Sequence, residues 1–507
     1  MSHWAPLFLG IDVGTTTVKA SILDDEARVL AEASVSYLTS FVRPSWVEQN
    51  PEDWWRATLS VLARLSRDGG SGILSAVAGI SVSSQAPTLL ALDASGTPIR
   101  PALIWMDRRA EAECETLAGL AGREEYLRMT GNRIDPFFVA PKLLWLRNNE
   151  PAALSRTATF LQINGYIAYR LTGSLSMDEQ HASLLGLRDI QQGEWSEDLL
   201  AAVGVSAAQF PDSSAATVVV GHVTANAADT TGLSMGTPVV AGTVDSAAAA
   251  LEAGVVWPGQ AAEMTGTSTV VIFPLAEPAA RPEFITMTSV IHDQWLYLAA
   301  MVATGASLKW LKDLTAAEKS FTDLTREAEA VPAGARGMVF LPYMMGERSP
   351  IWDSAARGVF LGLTLGSGVP QLTRAILEGT AFALRHNLDV AAKLGLRPEA
   401  LRSTGGPAAS DLWCQIKADV TGVPIVRMRA PTGATFGDAV IAAVGTGHMS
   451  DLGTVVSGAA TVDGEFLPDP AKRQLYDDLY QIYRSSYEHV RYDLDELARL
   501  SIPEATA

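Results

Sequence analysis

The chain has 507 residues, of which 48% are hydrophobic and 19% are charged, and its formal net charge is −18. This length is too great for a single hydrophobic core and predicts two or more domains. The negative charge argues against a broad surface for nucleic acid or for an anionic membrane, because both favour clusters of Lys and Arg. It leaves room for a small local site that binds an anion.

Cysteine and histidine usage indicates neither a disulfide framework nor a metal centre. The two cysteines, Cys114 and Cys414, form no CxxC pair, and the seven histidines are scattered without an HExxH spacing. This pattern fits a reducing compartment. The opening "MSHWAPLF" has no basic region, so we expect no signal peptide, and no uncharged apolar stretch reaches the length of a membrane span. We therefore expect a cytoplasmic protein.

The first elements along the chain are predicted to be a strand, a turn, two further strands and a helix. "LFLGIDVG" and "TVKASILD" are rich in strand-forming residues and flank a Gly-Thr turn, and "DDEARVLAEASVSY" supplies the third strand. "NPEDWWRATLSVLARLS" predicts a helix with Asn50 as N-cap and Pro51 at its first position. "AVAGISVSS" predicts another buried strand, and helical patterns fill much of 108–171.

The second half of the chain begins with a unit similar to the first. "GIDVGTTTVKASIL" and "AEMTGTSTVVIFPL" each read as a strand, a Gly-Thr turn with extra hydroxyls and a second strand. An internal duplication of this kind predicts an α/β protein with two similarly folded domains that face each other. We place these domains at 1–248 and 249–507, with a hinge near 245–260.

Asp12 interrupts the first apolar strand, where an unpaired buried charge would be costly. Turns rich in Gly and Thr, at 14–16 and 266–268, present backbone N–H groups that can bind phosphate oxygens. An aspartate beside such a turn can hold Mg²⁺ against the phosphates. The alternative is a hairpin turn with a strand-end Asp that caps backbone N–H groups. Because two matching turns are present, we favour the phosphate site.

Two further motifs are candidates for the same site. "AGTVDSAAAA" places Asp245 between a buried strand and a helix, where it can be a helix cap or a general base that accepts a proton during phosphoryl transfer. In "TGGPAASDLW", Gly405 and Gly406 allow close approach of a flat ligand such as adenine, and Ser410 begins a helix. No P-loop, no GxGxxG dinucleotide motif and no GxSxG elbow is present.

Taken together, these segments resemble the FGGY carbohydrate kinases. The resemblance covers nearly the whole chain and is carried by "GIDVGTTTVKASI", "WVEQNPEDWW", "LIWMDRRA", "AGTVDSAAAALEAG", "TGTSTV", "STGGPAAS" and the long segment at 341–379. It implies two actin-like (ribonuclease H-like) domains that close on a cleft for ATP, Mg²⁺ and a small sugar. The first domain would hold the sugar and the second the nucleotide. We also expect a homodimer.

The resemblance implies a role for each matching position. Asp245 would be the catalytic base, and Asp12 with Asp245 would hold the metal. The positions that match nucleotide contacts are Asp12, Gly14, Thr15, Thr16, Lys19, Gly266, Thr267, Gly305, Lys309, Gly405, Gly406 and Ser410. Those that match substrate contacts are Gln85, Ala86, Trp105, Asp107, Phe137 and Asp245.

The identity of the sugar depends on "SSQAPT", where this chain departs from its relatives. Xylulokinases typically carry Gln-Met-His-Gly where Gln85, Ala86, Pro87 and Thr88 stand here, and glycerol kinases carry an Arg-Glu pair. The segment "FVRPSWVEQNPEDWW" most resembles xylulokinases, so we expect a ketopentose such as xylulose, then ribulose, then a polyol such as erythritol or glycerol. The alternatives are a non-catalytic actin-like nucleotide-binding protein and a degenerate family member that serves as a regulator.

Overall fold

The computed structural model describes residues 6–43, 45–70, 72–429 and 432–500. We expect no signal peptide at the start of the chain. Residues 1–5 of that segment lie outside the described residues. Within the described ranges, no helix is both long enough and apolar enough to cross a membrane.

The strands of the first half are β1 (Leu7–Val13), β2 (Thr17–Leu23), β3 (Val29–Ser36), β4 (Ser40–Arg43), β5 (Trp46–Gln49), β6 (Val77–Ser84), β7 (Leu90–Leu92), β8 (Ala102–Leu103), β9 (Thr159–Leu161), β10 (Met177–Asp178), β11 (Ser213–Ser214), β12 (Val219–His222), β13 (Pro238–Val240) and β14 (Thr243–Val244). Those of the second half are β15 (Ala262–Thr265), β16 (Thr269–Leu275), β17 (Ile285–Thr288), β18 (Trp295–Met301), β19 (Val339–Leu341), β20 (Val359–Leu361), β21 (Leu401–Thr404), β22 (Ile425–Met428) and β23 (Val462–Phe466).

The α-helices of the first half are α1 (Pro51–Asp68), α2 (Glu111–Ala121), α3 (Arg123–Thr130), α4 (Val139–Asn149), α5 (Pro151–Arg156), α6 (Ile163–Thr172), α7 (Glu179–Ser183), α8 (Glu197–Val203), α9 (Ala225–Thr231) and α10 (Asp245–Glu252). Those of the second half are α11 (Thr304–Thr315), α12 (Phe321–Glu329), α13 (Val369–Lys393), α14 (Asp411–Thr421), α15 (Ala434–Gly445), α16 (Leu452–Ala459) and α17 (Arg473–Leu500).

The two large sheets have the same central topology. The first has the strand order β12-β13-β6-β1-β2-β3, and the second has β17-β18-β16-β15-β21-β22-β23. In the first sheet β1 pairs antiparallel with β2 and parallel with β6. In the second sheet β15 pairs in the same way with β16 and β21. The predicted pair of strand–turn–strand units is therefore confirmed, because each unit forms the centre of its own sheet.

The first long helix forms where the sequence predicts it. Helix α1 begins at Pro51, and the side chain of Asn50 accepts a hydrogen bond from the backbone N–H of Glu52 at 3.1 Å. Its face with Trp55, Leu62 and Leu65 is buried in the core of the first sheet, as expected for apolar residues at helical spacing.

Helix α15 comes from the second half of the chain but packs on the first sheet. It lies against β1, β6 and α10. The contact is very close, because a Cβ built on Gly10 would lie 2.0 Å from the carbonyl oxygen of Thr435. A Cβ on Gly437 would lie 2.1 Å from the carbonyl oxygen of Ala248. The chain thus returns to complete the first layer, and the boundary between 248 and 249 stays a prediction.

Replacing a helix glycine by alanine should have opposite effects on stability at a closely packed position in α15 and at an open position in α2. Gly437→Ala should lower the free energy of unfolding by about 1–3 kcal/mol, because its methyl group has no space against Ala248. Gly119→Ala in α2 is the control: a Cβ there meets nothing within 4 Å, so we expect a gain of about 0.5–1 kcal/mol. Urea unfolding measures both variants. Equal stability of the two would contradict the packing of α15 described here.

Candidate active site

Three acidic side chains meet where the two halves of the chain join. Asp12 is near the end of β1, Asp245 begins α10 and Asp438 lies in α15. The hydroxyl of Ser83 on β6 lies 2.6 Å from Asp438 Oδ2 and 3.4 Å from Asp12 Oδ1. Asp245 accepts a hydrogen bond from the backbone N–H of Ser246 at 2.6 Å. The helix-cap alternative for Asp245 is not supported, because the N-cap of α10 is the residue before it.

All three carboxyl groups have raised pKa values. Burial raises the pKa of Asp245 to about 7, with a further contribution from the negative charge of Asp12. Burial raises the pKa of Asp12 to about 6, although Lys19 and Ser83 oppose the rise. Burial also raises the pKa of Asp438 well above its ordinary value. Near neutral pH the cluster can therefore hold a proton or bind a cation.

Asp12 and Asp245 border a cleft of about 810 Å³ that both halves of the chain line. Lys19 stands opposite Asp12 in the β1–β2 pair. Burial raises the pKa of Glu252 to about 7, although its hydrogen bonds with the 432–433 backbone oppose the rise. The predicted site residues on the walls of this cleft are Asp12, Lys19, Asp245, Gly266, Gly405 and Gly406. The structure thus brings together residues that lie up to 394 positions apart, from 12 to 406.

The first Gly-Thr turn is tied to the protein through its carbonyl groups. The backbone N–H of Gly14 donates to the carbonyl of Thr17 at 3.1 Å. The carbonyl of Thr15 accepts hydrogen bonds from Gln49 at 2.7 Å and from Thr39 at 3.1 Å. The walls of the cleft include Asp12 but not Gly14, Thr15 or Thr16, and Thr16 is exposed. The turn is thus rigid and adjacent to the cleft.

The second turn is fitted against the start of helix α11. The backbone N–H of Gly266 donates to the carbonyl of Ser268 at 2.8 Å, and that of Ala306 donates to the carbonyl of Thr267 at 2.9 Å. A Cβ on Gly305 would lie 2.0 Å from the carbonyl oxygen of Gly266. A glycine is therefore required at 305 for the helix to approach the turn.

A buried ion pair stabilises the strand that leads into the second turn. Lys417 and Glu263 form this pair, and both side chains are almost fully buried. The hydroxyl of Thr265 donates to Glu263 at 2.5 Å and lies 2.9 Å from the hydroxyl of Thr269, which lies 2.8 Å from that of Thr304. This network connects the strand before the turn to the helix that follows it.

A second cavity, of about 410 Å³, continues from the turn into the second half. Ser410 accepts a hydrogen bond from the backbone N–H of Trp413 at 3.3 Å and so caps α14, as predicted. The predicted nucleotide residues on this cavity are Gly266, Thr267, Gly305, Lys309, Gly406 and Ser410. The lining combines apolar side chains with glycine backbone, and this suits a flat aromatic ring.

The predicted substrate residues cluster close to Asp245. Ala86, Trp105 and Phe137 pack in one apolar cluster with Val244 and Ala247, which flank Asp245 in the sequence. The indole N–H of Trp105 donates to the hydroxyl of Thr15 at 3.1 Å. Gln85 is buried, and its side-chain oxygen has no hydrogen-bond partner in the part of the chain that the structure describes. Ala86, Trp105 and Phe137 thus form an aromatic cluster beside Asp245.

Asp107 lies outside this aromatic cluster. Its carboxylate accepts hydrogen bonds from the guanidinium of Arg109 at 2.8–3.0 Å and from the backbone N–H of Val47 at 2.6 Å. The side chain is fully buried. The carboxylate of Asp107 is therefore held by Arg109 and Val47, and its role in substrate binding stays a prediction.

The structure also shows functional candidates that the sequence reading missed. Arg348, from the second half, lies 4.8 Å above the ring of Trp105 and 5.2 Å from that of Phe137. Burial lowers its pKa to about 10. Asp438 and Ser83 were also missed. A signal for Asp438 was available, since it is a lone carboxylate in the apolar run "FGDAVIAAV", as Asp12 is in its strand.

The buried pair beneath the second turn predicts strong non-additivity. Lys417→Met should lower the free energy of unfolding by about 3–5 kcal/mol, because it leaves Glu263 buried without a counter-charge. Adding Glu263→Gln to that variant should restore much of the loss, since the unpaired charge is gone. Chemical unfolding of both single variants and the double variant measures this. Additive losses would show that the two groups do not act as a pair.

Two family models match the chain. The FGGY family of carbohydrate kinases, N-terminal domain, matches residues 7–252, and its C-terminal domain matches residues 261–446. A xylulose kinase of Bacillus subtilis is 31% identical over 487 residues, which cover 95% of this chain and 97% of that protein.

Solved structures are similar over nearly the whole chain. The crystal structure of xylulose kinase from Rhodospirillum rubrum has a TM-score of 0.87 and 32% identity, and covers 96% of this chain and 99% of that one. Ligand-bound xylulose kinase from Lactobacillus acidophilus has a TM-score of 0.90 and 26% identity, with 97% and 100% covered. The chain therefore belongs to the FGGY family of carbohydrate kinases and is an ATP-dependent sugar kinase with two actin-like domains.

Proposed function

We propose that this sugar kinase transfers the γ-phosphate of ATP to a hydroxyl group of a ketopentose, D-xylulose. The observation that carries the mechanism is Asp245, a half-buried carboxylate that lines the cleft beside the aromatic cluster and has a pKa raised to about 7. The xylulose kinases among its relatives support the choice of sugar. Membership of a kinase family leaves the non-catalytic alternatives without support.

The nucleotide is proposed to lie across the two connected cavities. Adenine would occupy the cavity of about 410 Å³ beside Gly406 and Ser410. The phosphates would follow the turn at Gly266 and Thr267 into the cleft, toward Asp12 and Lys19. Backbone N–H groups of such a turn are suited to phosphate oxygens. Lys309 lines the nucleotide cavity, although its ammonium group is now paired with Asp313.

The carboxylates of Asp12 and Asp245 fit a magnesium ion. Both offer carboxylate oxygens, and the pKa of each is raised, so Lys19 does not fully offset their negative charge. Among the described residues no group of three or more His, Cys, Asp or Glu could hold a metal, so the protein would supply two carboxylates and the phosphates the remaining oxygens. Bound Mg²⁺ would neutralise negative charge on the phosphates.

Asp245 is proposed to act as the general base. Its carboxylate would accept the proton of the attacking hydroxyl as the sugar oxygen bonds to the γ-phosphorus and the bond from that phosphorus to the β,γ-bridging oxygen breaks. A pKa near 7 makes this carboxylate a stronger base than an exposed aspartate. Its apolar neighbours Val244 and Ala247 exclude water from that side.

The aromatic cluster beside Asp245 is proposed to orient the sugar. Trp105 and Phe137 would pack against its carbon chain, with Arg348 above them. The unpartnered oxygen of Gln85 would accept a hydrogen bond from a sugar hydroxyl. Ala86 is small, so it leaves space where xylulokinases typically carry a larger side chain. The homodimer stays a prediction.

A coupled assay of ADP release tests both the sugar and the base. With Mg-ATP, D-xylulose should give a kcat/KM at least about tenfold above D-ribulose, erythritol and glycerol, because a buried acceptor discriminates between hydroxyl patterns. Asp245→Asn should lower kcat for D-xylulose by about 10²- to 10⁴-fold, since the amide cannot accept the proton. Binding of ATP to that variant, measured by calorimetry, should change little.

Asp53→Asn, at a partly exposed position near the start of α1 that pairs with Arg56, is the matched control and should keep full activity. A higher kcat/KM for another member of the panel would overturn the choice of sugar. Normal turnover by Asp245→Asn would remove that residue from the role of base. The two outcomes are independent of each other.

A further inference from the structure

The turn at 135–137 places Phe137 in the aromatic cluster of the proposed sugar site. The ring centroid of Phe137 lies 6.4 Å from that of Trp105 and 5.2 Å from the guanidinium carbon of Arg348. Trp105 in turn donates to the hydroxyl of Thr15, in the first Gly-Thr turn, at 3.1 Å. The position of the 135–137 turn therefore decides how the aromatic cluster stands relative to the Gly-Thr turn.

Asp135 holds one side of this turn. Its Oδ1 atom accepts hydrogen bonds from the backbone N–H of Phe137 at 2.8 Å and from the guanidinium of Arg108 at 3.2 Å. These bonds do not engage the carbonyl groups of Pro136 and Phe137. The residue four positions after Phe137 is Pro141, which has no N–H to donate to that carbonyl. The carbonyl side of the turn therefore needs donors from elsewhere.

Lys142, in helix α4, supplies those donors. Its Nζ atom donates to the carbonyl of Pro136 at 2.5 Å and to that of Phe137 at 2.9 Å. Lys142 is fully buried and forms no ion pair within the part of the chain that the structure describes. Burial lowers its pKa to about 7, although the negative charges of Asp107 and Asp135 oppose the fall. The two carbonyl groups are therefore the groups that hold this side chain in place.

A lysine is not needed here to fill the protein interior. Helix α4 around Lys142 is apolar, and its neighbours in the core are Leu143, Leu144 and Leu146. A methionine would match the length of lysine and would avoid the loss of hydration of a buried amino group. What lysine adds is a set of N–H donors directed at the turn that carries Phe137.

We infer that Lys142 is a positioning residue for the sugar, because it fixes the 135–137 turn so that Phe137 and Trp105 together contact the carbon chain. This inference rests on the sugar site of the proposed function. Lys142 is fully buried, so it acts through Phe137 and not by touching the sugar. The two cavities proposed for the nucleotide include neither residue. Loss of Lys142 should therefore affect the sugar and not ATP.

Steady-state kinetics of the full chain tests this inference, with the sugar for which the wild type has its highest kcat/KM. Lys142→Met should raise the KM for that sugar about tenfold and change the KM for Mg-ATP less than about twofold. Phe137→Ala should raise the KM for the sugar by at least as much. The double variant should match Phe137→Ala alone, because Lys142 acts through Phe137 and the two effects do not multiply.

Two further variants keep the test sharp. Arg147→Met is the matched control, since it removes a cation of the same helix whose guanidinium donates to a distant carbonyl, that of Ala202, at 2.7 Å. It should keep both KM values. Lys142→Gln keeps an amide donor for one of the two carbonyl groups and should raise the KM for the sugar about threefold. The test therefore does not depend on the folding of the methionine variant.

The outcomes separate this inference from the proposed function. A normal KM for the sugar in the Lys142 variants, with a raised KM in Phe137→Ala, would overturn the inference and leave the proposed sugar site intact. A normal KM in Phe137→Ala would overturn the proposed sugar site itself. An equal rise of both KM values in Lys142→Met, or multiplied effects in the double variant, would show that Lys142 serves the fold as a whole and would also overturn the inference.

Discussion

Three carboxyl groups buried at the junction of the two halves are the constraint on which the rest of the structure depends. Asp12, Asp245 and Asp438 come from three separate elements, and Ser83, Lys19 and the backbone N–H of Ser246 offset their charge in part. Burial of acidic groups without matched positive charge lowers stability. The fold tolerates this arrangement because burial raises the pKa of each carboxyl group, so bound protons can offset part of the negative charge.

Helix α15 is what makes that junction possible. It carries Asp438, and close contacts that require glycine place it against the first sheet at Gly10 and against α10 at Gly437. The same helix packs against α10, which begins with Asp245. The second half repeats the sheet topology of the first, but its turn is held differently, by the buried pair of Glu263 and Lys417. The two Gly-Thr turns are therefore related by topology, but different side-chain interactions hold them in place.

Much of the fold and part of the site could be predicted from the sequence, because their signals are local. Both strand–turn–strand units and the cap of α1 depend on neighbouring residues, and Asp12 is conspicuous inside an apolar run. The contacts that decide the remaining positions are long-range. Asp107 was expected in the pocket, but its pairing with Arg109 depends on how that loop folds against Val47. Asp438 joins Asp12 only because α15 returns to the first sheet.

Urea unfolding of the wild-type chain and Asp438→Asn, from about pH 5 to about pH 8 without nucleotide or divalent cation, tests the central claim most directly. The folded pKa of Asp438 is raised above 3.8, so its contribution to stability is lost as pH rises through that folded pKa. The free energy of unfolding of the variant, relative to that of the wild type, should increase with rising pH. At about pH 8 the variant should be the more stable protein. Asp24→Asn is the control: burial alone would raise the pKa of Asp24, but hydrogen bonds from Arg28 and Glu26 hold it below 3.8. Asp24 is therefore ionised in both the folded and the unfolded chain over this range, and the variant should be less stable than the wild type by an amount that does not change with pH. An Asp438→Asn protein that is less stable than the wild type at every pH would contradict the account.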